Sequence, residues 1–432
     1  MATPPLRYSD AAELVRRYVQ ANLSSPPAQP ELLELAFAAG RSLAESLHAD
    51  RDQPPFPRST RDGFASRASD ANSHQFLRLA GQIHAGQDPA AIGSGSVGPG
   101  EVWEIMTGAP VPPGAEAVFM VEHAQFAATP DSGQTHTTIY DPETRFVRLA
   151  APRTLAVGDN IVPAGSEARA GQLLIPAGTR IGPAHIALAA QCGAAQLAVY
   201  PRPRVAILST GDELVPVDAI PTRTQIRNSN APMLAALVAA TGGDPITLPA
   251  VPDREQLLNA AIRQALAADL LLLSGGISAG RFDLVDKALA DAQASFLFRG
   301  VAIQPGKPVA FGQIPRAGQP PLPFFALPGN PLSSAVTFHL FAAPVLAALG
   351  GDPDRHPRFA QAHLTEPVRV KTGLTRFLPA QCDFAPAPKV TPIPWQGSGD
   401  LAAFARSNCF AVIPENAEEI PQDAQIQILL IE

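Results

Sequence analysis

The stretch LLLLSGGISAGRFD, residues 270–283, decides how the rest of the chain is read. Four leucines stop abruptly at Ser274-Gly275-Gly276. A short apolar run closed by glycines reads as a buried strand of a parallel sheet. Beyond it Phe282, Val285, Leu289 and Ala292 recur at helical spacing, so residues 282–292 read as a helix. The order strand, glycine loop, helix puts the loop at the carboxyl end of a strand, where open α/β sheets bind ligands. Gly275, Gly276 and Gly280 carry no Cβ, which lets backbone N–H groups come close to an anion. Asp283 stands where a carboxylate is also favoured by the helix dipole alone. A lone glycine loop does not separate the two readings.

The same unit repeats on either side. Residues 205–208 form a strand that ends in Ser209-Thr210-Gly211-Asp212, and a helix over 231–240 stops at Gly242-Gly243. A strand at 246–248 leads to Asp253, which reads as the N-cap of a helix with Gln256 as its capping-box partner. After a strand at 324–327, Asn330 and Pro331 suit the N-cap and first turn of a helix running to about residue 349. Repeated βα units of these lengths predict a doubly wound, mainly parallel sheet, and a helix over 183–192 precedes it in the chain, with Pro183 suited to its first turn.

Further out the pattern changes. Residues 10–21 and 31–48 read as two helices joined by the linker SSPPAQP, the second carrying Leu32, Leu35, Ala39, Leu43 and Leu47 at helical spacing. From Asp50 onward, proline and glycine turns separate short strands at 76–79, 102–106, 117–122 and 137–140, so a β-rich domain ends near residue 149. By themselves Asp62-Gly63 and Thr107-Gly108-Ala109-Pro110 are tight turns. Residues 157–181 read as β-hairpins. Strands at 368–370, 376–380, 390–394, 409–413 and 426–431 predict a small C-terminal β-domain or barrel.

Composition sets bounds on function. With 46% hydrophobic and 16% charged residues, the 432-residue chain is globular and long enough for two to four domains. Its 46 prolines are about twice the usual share of ~5%, in keeping with many rigid turns. A net charge of −7 argues against a broad nucleic-acid surface. The N-terminus lacks a basic region followed by an apolar run, and the apolar stretch 335–349 is short and interrupted by His339 and Pro344. The expectation is a cytoplasmic protein that binds neither membrane nor nucleic acid. Cys192, Cys382 and Cys409 lack CxxC spacing, which predicts buried reduced thiols rather than a zinc site or disulfides.

Four strand ends point at one rim: STGDE, VPD, SGGISAGRFD and LPGN. A fifth loop, Gln304-Pro305-Gly306-Lys307-Pro308, holds a cation between prolines. Glycine-rich helix N-termini beside a lysine suit a phosphate or another oxyanion. Asp253 and Asp283 could add Mg²⁺, which takes few carboxylates plus substrate phosphate oxygens. The residues alone predict a site for an anionic, phosphorylated small molecule with a divalent cation.

On these residues the chain resembles the molybdopterin molybdenumtransferase family, the bacterial MoeA proteins and the gephyrin E domain. The resemblance runs in order through Ser59-Thr60-Arg61-Asp62-Gly63-Phe64-Ala65, Ile105-Met106-Thr107-Gly108-Ala109-Pro110, Ser209-Thr210-Gly211-Asp212-Glu213-Leu214, Ser274-Gly275-Gly276-Ile277-Ser278, Pro305-Gly306-Lys307-Pro308 and Leu327-Pro328-Gly329-Asn330-Pro331. Each motif alone is weak; six in the family's order are specific. The resemblance implies a multidomain α/β protein. Residues 1–50 and 150–180 would form an elongated helical and β linker and dimerisation domain. Residues 51–149 would be an inserted β-domain, 181–350 a doubly wound molybdopterin-binding domain, and 351–432 a C-terminal β-barrel.

It also implies a homodimer that converts adenylylated molybdopterin and molybdate to molybdenum cofactor and AMP with Mg²⁺. The partners implied are those two substrates, with transient contact to the molybdopterin adenylyltransferase and to molybdoenzyme maturation factors. By motif match, Asp62, Thr107, Asp253, Asp283 and Lys307 are the catalytic set, with Asp253 and Asp283 on the metal. Thr210, Gly211, Asp212, Ser274, Gly275, Gly276 and Ser278 match substrate-binding positions. So do Pro328, Gly329, Asn330 and Pro331, and on the barrel Arg376 and Ser398. The family usually has Met at Arg61, Tyr at Phe64, an acidic residue at Arg281, a basic one at Glu104, and often lysines at Gly300 and Gln304. Where it reads Gly-Glu-Asp, this chain has Gly165-Ser166-Glu167. Arg281 or Arg299 would replace the lost lysines. Two competing readings are a molybdopterin-adenylylating or other nucleotide-processing relative sharing only the α/β domain, and a non-catalytic scaffold.

Overall fold

All five residues of the Leu270–Ser274 strand are buried. It pairs in parallel with Arg204–Ser209 on one side and with Gln319–Leu327 on the other. The computed structural model describes residues 4–23, 29–131, 135–136, 138–276 and 284–431. Ser278, Arg281 and Asp283 therefore lie outside the described residues. The chain divides into two compact units, the first made of residues 1–45, 177–186 and 195–432, the second of 46–176 and 187–194.

In the first unit the six-stranded sheet runs in the order Asp244–Thr247, Arg204–Ser209, Leu270–Ser274, Gln319–Leu327, Ala310–Arg316, Ser295–Arg299. The first four strands are parallel; the last two are antiparallel additions that the sequence pattern does not announce. Alternate residues feed two cores. Val205, Ile207, Leu270, Leu272 and Phe325 face the helices Tyr8–Asn22 and Asn230–Thr241 and the long helix over 331–349. Ala206, Leu208, Leu271, Leu273 and Phe324 face Glu255–Ala265 and Leu284–Asp291. Burial on both faces is why the strand reads as an unbroken leucine run. Tyr18 meets Phe311 edge-on at 5.0 Å, and Phe311 stacks on Phe325 at 4.3 Å. The helix Pro331–Leu349 is long and apolar enough to cross a bilayer, but 83% of it is buried against this core.

The barrel closes through five strands. Thr375–Asp383 pairs with both Lys389–Pro392 and Cys409–Ile413, and Phe359–Leu364 with Gln425–Leu430 completes the ring. Cys382 and Cys409 lie in its core, and all three cysteines are free and buried.

Two expectations fail in this part of the chain. Residues 31–48 do not form one helix. Glu31–Glu34 is a strand paired with Gln196–Val199, only Leu35–Ala38 is helical, and Leu32 is 67% exposed. A distant strand satisfies the backbone there, so tertiary pairing overrides local periodicity. Asp253 is not an N-cap either: the helix begins at Glu255 after Arg254, with no side-chain cap.

The second unit holds a six-stranded sheet in the order Ala117–Met120, Gly63–Ser66, Glu101–Ile105, Leu77–Ile83, Phe146–Leu149, Ala124–Ala127. Phe64 is fully buried against Phe119 and Phe126, with centroids at 5.4 and 5.8 Å, so no phenol is called for at that position. Gly63 is obligatory, because a Cβ would come within 2.0 Å of the Phe119 carbonyl oxygen. No strand forms at 138–140, where the chain turns; Thr137 lies outside the described residues. Residues 157–181 do not form hairpins. Ile161–Val162 pairs with Arg58–Ser59, and Leu173–Ile175 with Leu47–His48.

Candidate functional site

The carboxyl ends of the parallel strands open into a cleft of about 770 Å³. Its floor is the glycine loop. Gly275 and Gly276 have φ of +93° and +69°. A Cβ on Gly275 would lie 2.5 Å from the Thr210 carbonyl oxygen, and one on Gly276 would lie 2.4 Å from Val285 Cγ2. Close backbone approach and left-handed geometry both demand glycine. The loop is tied to its neighbours: Thr210 N–H donates to Ser274 O (3.0 Å), and Gly275 N–H to Leu327 O (3.3 Å). The Thr210 hydroxyl is buried in the cleft wall without a partner among the described residues.

On one wall the exposed Lys307 stands in the 305–308 loop; among the described residues it forms no ion pair. Gly306 at φ +113° makes the turn beneath it, and a Cβ there would strike Thr337 Cγ2 at 2.6 Å. Glu213 and Asp253 also line the cleft, with Asp212 beside them. Asp253 N–H donates to Asp212 Oδ1 at 3.0 Å, and the Glu213 carboxylate lies over Gly211, 2.6 Å from where a Cβ would be. Burial, then the charges of Asp212 and Glu213, push the Asp253 carboxyl above its ordinary range. Among the described residues no group of three or more His, Cys, Asp or Glu is arranged to hold a metal by itself. Oxygen donors at one side of the cleft fit an ion that completes its shell with water and phosphate oxygens.

Pro328, Gly329 and Asn330 form the next wall. Asn330 is the N-cap by backbone, but its amide donates to Ser398 Oγ at 2.7 Å rather than capping the helix. That bond joins the α/β loop to the barrel loop that carries Trp395 and Ser398. Asp400 fixes the barrel loop by accepting from Gln396 N–H and Ala403 N–H, each at 3.0 Å, and these bonds hold its carboxyl below the usual range. Ser274 and Pro331 border an adjoining cavity of about 280 Å³. There Asn230, which sequence reasoning missed, donates from Nδ2 to Ser274 Oγ and Gly329 O, both at 2.7 Å. It locks the two loops together, and its buried Oδ1 has no partner among the described residues.

Thr210, Gly211, Asp253, Gly275, Gly276 and Lys307 thus share the cleft with the 328–330 loop and Ser398. Arg376 does not line it. Its side chain donates to Lys371 O at 2.5 Å, although its strand pairs with Gln304, which does line the cleft. Arg299 does not replace the missing lysines, because it pairs with Asp286 at 2.7 Å and lies 3.6 Å over the Phe296 ring. Glu213, Gln304 and Trp395 complete the wall. Glu213 could have been found from its place beside Asp212; Trp395 offered only the glycine-rich loop that follows it.

Asp62 and Thr107 lie in the second unit. Thr107 N–H donates to Asp62 Oδ1 at 2.7 Å, and that bond holds the carboxyl below its usual range. Gly108 at φ +82° turns the chain, and its N–H donates to Ser59 O at 2.8 Å. Glu167 pairs with Arg58 at 2.7 Å.

A doubly wound sheet with a polar, glycine-floored cleft at its strand ends, the place where open α/β sheets bind ligands, defines the class of this α/β protein. Three family models cover most of the chain. The MoeA N-terminal region (domain I and II) matches residues 6–193, the probable molybdopterin binding domain 206–348, and the MoeA C-terminal region (domain IV) 361–431. The chain is 32% identical over 408 residues to a molybdopterin molybdenumtransferase of Bacillus subtilis, covering 93% of this chain and 90% of that one. It is 37% identical over 335 residues to one from Nostoc, covering 74% and 70%. A crystal structure of a molybdopterin biosynthesis MoeA protein from Pyrococcus horikoshii aligns with a TM-score of 0.77 at 25% identity, over 99% of this chain and all of that one. The chain belongs to the molybdopterin molybdenumtransferase family.

Proposed function

We propose that the protein inserts molybdenum from molybdate into adenylylated molybdopterin, releasing AMP and giving the molybdenum cofactor. The observation that carries this reading is the cleft itself, which brings together Lys307, the Gly275-Gly276 backbone, the Glu213 and Asp253 carboxylates and the buried Thr210 hydroxyl, unpartnered among the described residues. The family relatives named as molybdopterin molybdenumtransferases supply the reaction. In it the backbone N–H groups and Lys307 hold the phosphate region, and Ser398 and Asn330 present the barrel loop to the oxyanion. The chain positions two anions and supplies no covalent nucleophile, so its contribution is alignment and charge. Asp253 with Asp212 and Glu213, together with Asp283 outside the described residues, would hold Mg²⁺. When bound, that ion would neutralise phosphate charge. Arg376 would act through the strand that it shares with Gln304. The fourfold division at residues 50, 150, 180 and 350 remains our proposal for the domains. A cytoplasmic homodimer is proposed on the same resemblance.

Asp62 and Thr107 are assigned to the same reaction, and in a homodimer they would serve it from the partner subunit. Homodimers of Asp62→Ala and of Asp283→Asn are then each nearly inactive. Co-expressed mixed dimers recover activity, because one of their two sites is wild type. Verified mixed dimers as inactive as the parents would contradict the shared site.

A further inference from the structure

Residues 352–358, DPDRHPR, link the Ala343–Leu349 helix to the first barrel strand, Phe359–Leu364. They bring Arg355, His356 and Arg358 to a small pocket of about 120 Å³ that shares no lining residue with the substrate cleft. His339 forms part of its wall. It sits on a single π turn, Phe338–Ala342, inside the long core helix. Such turns are frequent at functional sites. Among the described residues the buried Nε2 of His339 has no hydrogen-bond partner. A buried polar atom with no partner calls for an ion, a water or a ligand.

The pocket lining carries Arg355 and Arg358 and, among the described residues, no carboxylate. Arg355 Nη1 donates to Thr241 O at 3.1 Å, and Arg180 Nη1 reaches the same carbonyl at 3.5 Å. That caps one helix end and uses one donor of each fork. Among the described residues neither Arg355 nor Arg358 is within salt-bridge distance of a carboxylate. The nearby acids are Asp352 and Asp354, and burial lifts the Asp352 carboxyl above its ordinary range. Burial, together with Arg355 and Arg358, holds the His339 imidazole at about 4, so it is neutral at physiological pH and able to donate from one nitrogen.

We propose that this pocket binds a small tetrahedral oxyanion of the phosphate or sulfate type, held by the guanidinium groups of Arg355 and Arg358 with His339 Nε2–H donating to it. The planar forks match such an anion. The volume admits one tetrahedral ion and excludes a nucleotide. A water molecule alone would satisfy His339 but would bring no negative charge to the two guanidinium groups of the lining.

The test is calorimetric titration of the full-length protein with inorganic phosphate, and separately with sulfate, at low ionic strength. Arg358→Gln carries it, because Arg358 is exposed and among the described residues its side chain makes no hydrogen bond or ion pair; Arg355 also caps a helix, so its replacement affects folding. Arg358→Gln is expected to weaken one class of sites at least fivefold, and His339→Gln to weaken the same class. Lys307→Ala leaves that class unchanged. Binding of both ions identifies a general dianion site, and binding of one alone names the source. The proposal is overturned if Arg358→Gln and His339→Gln titrate like wild type, or if the only binding seen depends on Lys307.

Discussion

The cleft of the first unit and the Asp62–Thr107 turn of the second are both polar and both glycine-shaped, yet they differ in what they leave unsatisfied. In the cleft, Thr210 Oγ1 and the neighbouring Asn230 Oδ1 are buried without partners among the described residues, and Asp253 is crowded by Asp212 and Glu213. At the turn, Asp62 already accepts a backbone hydrogen bond, and Ser59 Oγ donates to Arg61 O at 2.6 Å. The first arrangement leaves groups open among the described residues; at the second the carboxylate is already engaged and the bond holds a shape. Buried polar groups are rarely left unpaired, so the contrast separates a binding wall from a presented edge.

Asp253→Asn should break the comparison most strongly. Turnover should fall about 100-fold, because an oxygen donor on the metal side is lost. The unliganded fold should gain stability. Burial and two like charges raise the folded-state pKa of Asp253, so the folded form binds its proton more tightly than the unfolded chain does. Its contribution therefore declines as pH rises from the unfolded value toward the folded one, and the cost is fully present at pH 7. Removing this mostly exposed charge is worth about 0.5 kcal/mol or less. Thermal melts at pH 7 without Mg²⁺ test the sign; a lower melting temperature would mean that Asp253 is not under strain.

Lys307→Ala comes next. It should weaken binding of adenylylated molybdopterin about tenfold, or ~1.4 kcal/mol. Lys307→Arg should fall between, since charge matters more than shape in that rigid loop. Equal affinities for all three proteins would remove Lys307 from the site.

The smallest effect concerns the turn. The folded-state pKa of Asp62 is depressed by the Thr107 bond, so that bond stabilises the turn at pH above the unfolded value and is lost as pH falls through the depressed one. The Thr107 amide resonance should hold its position from pH 7 down through the ordinary aspartate range near ~3.9 and move only below it. Asp62→Asn should lower turnover while leaving the affinity of the cleft unchanged. A matching loss of affinity would show that the turn binds ligand directly.

The α/β core was legible because burial on both faces writes itself as an apolar run, and because Gly242, Gly275 and Pro331 punctuate it. What was not legible is pairing at long range. Glu31–Glu34 has a helical apolar spacing but is held by Gln196–Val199, and the short strands at 161–162 and 173–175 find partners more than a hundred residues away. Ser295–Arg299 and Ala310–Arg316 extend the sheet antiparallel, where no βα rhythm announces them. At the site, glycine and lysine positions stood out by chemistry. Asn230 did not, because its role depends on two loops that meet only in the fold. Arg376 and Arg299 were misplaced because a charge in sequence carries no direction; the structure engages one with Lys371 O and the other with Asp286 and Phe296.

The most direct measurement is a single-turnover assay of the purified protein with adenylylated molybdopterin, molybdate and Mg²⁺, following AMP and molybdenum cofactor together. The account predicts that both appear at the same rate and in equal amounts, and that omitting molybdate suppresses both. Adenylylated molybdopterin that stays intact, or AMP released with no cofactor formed, would contradict it.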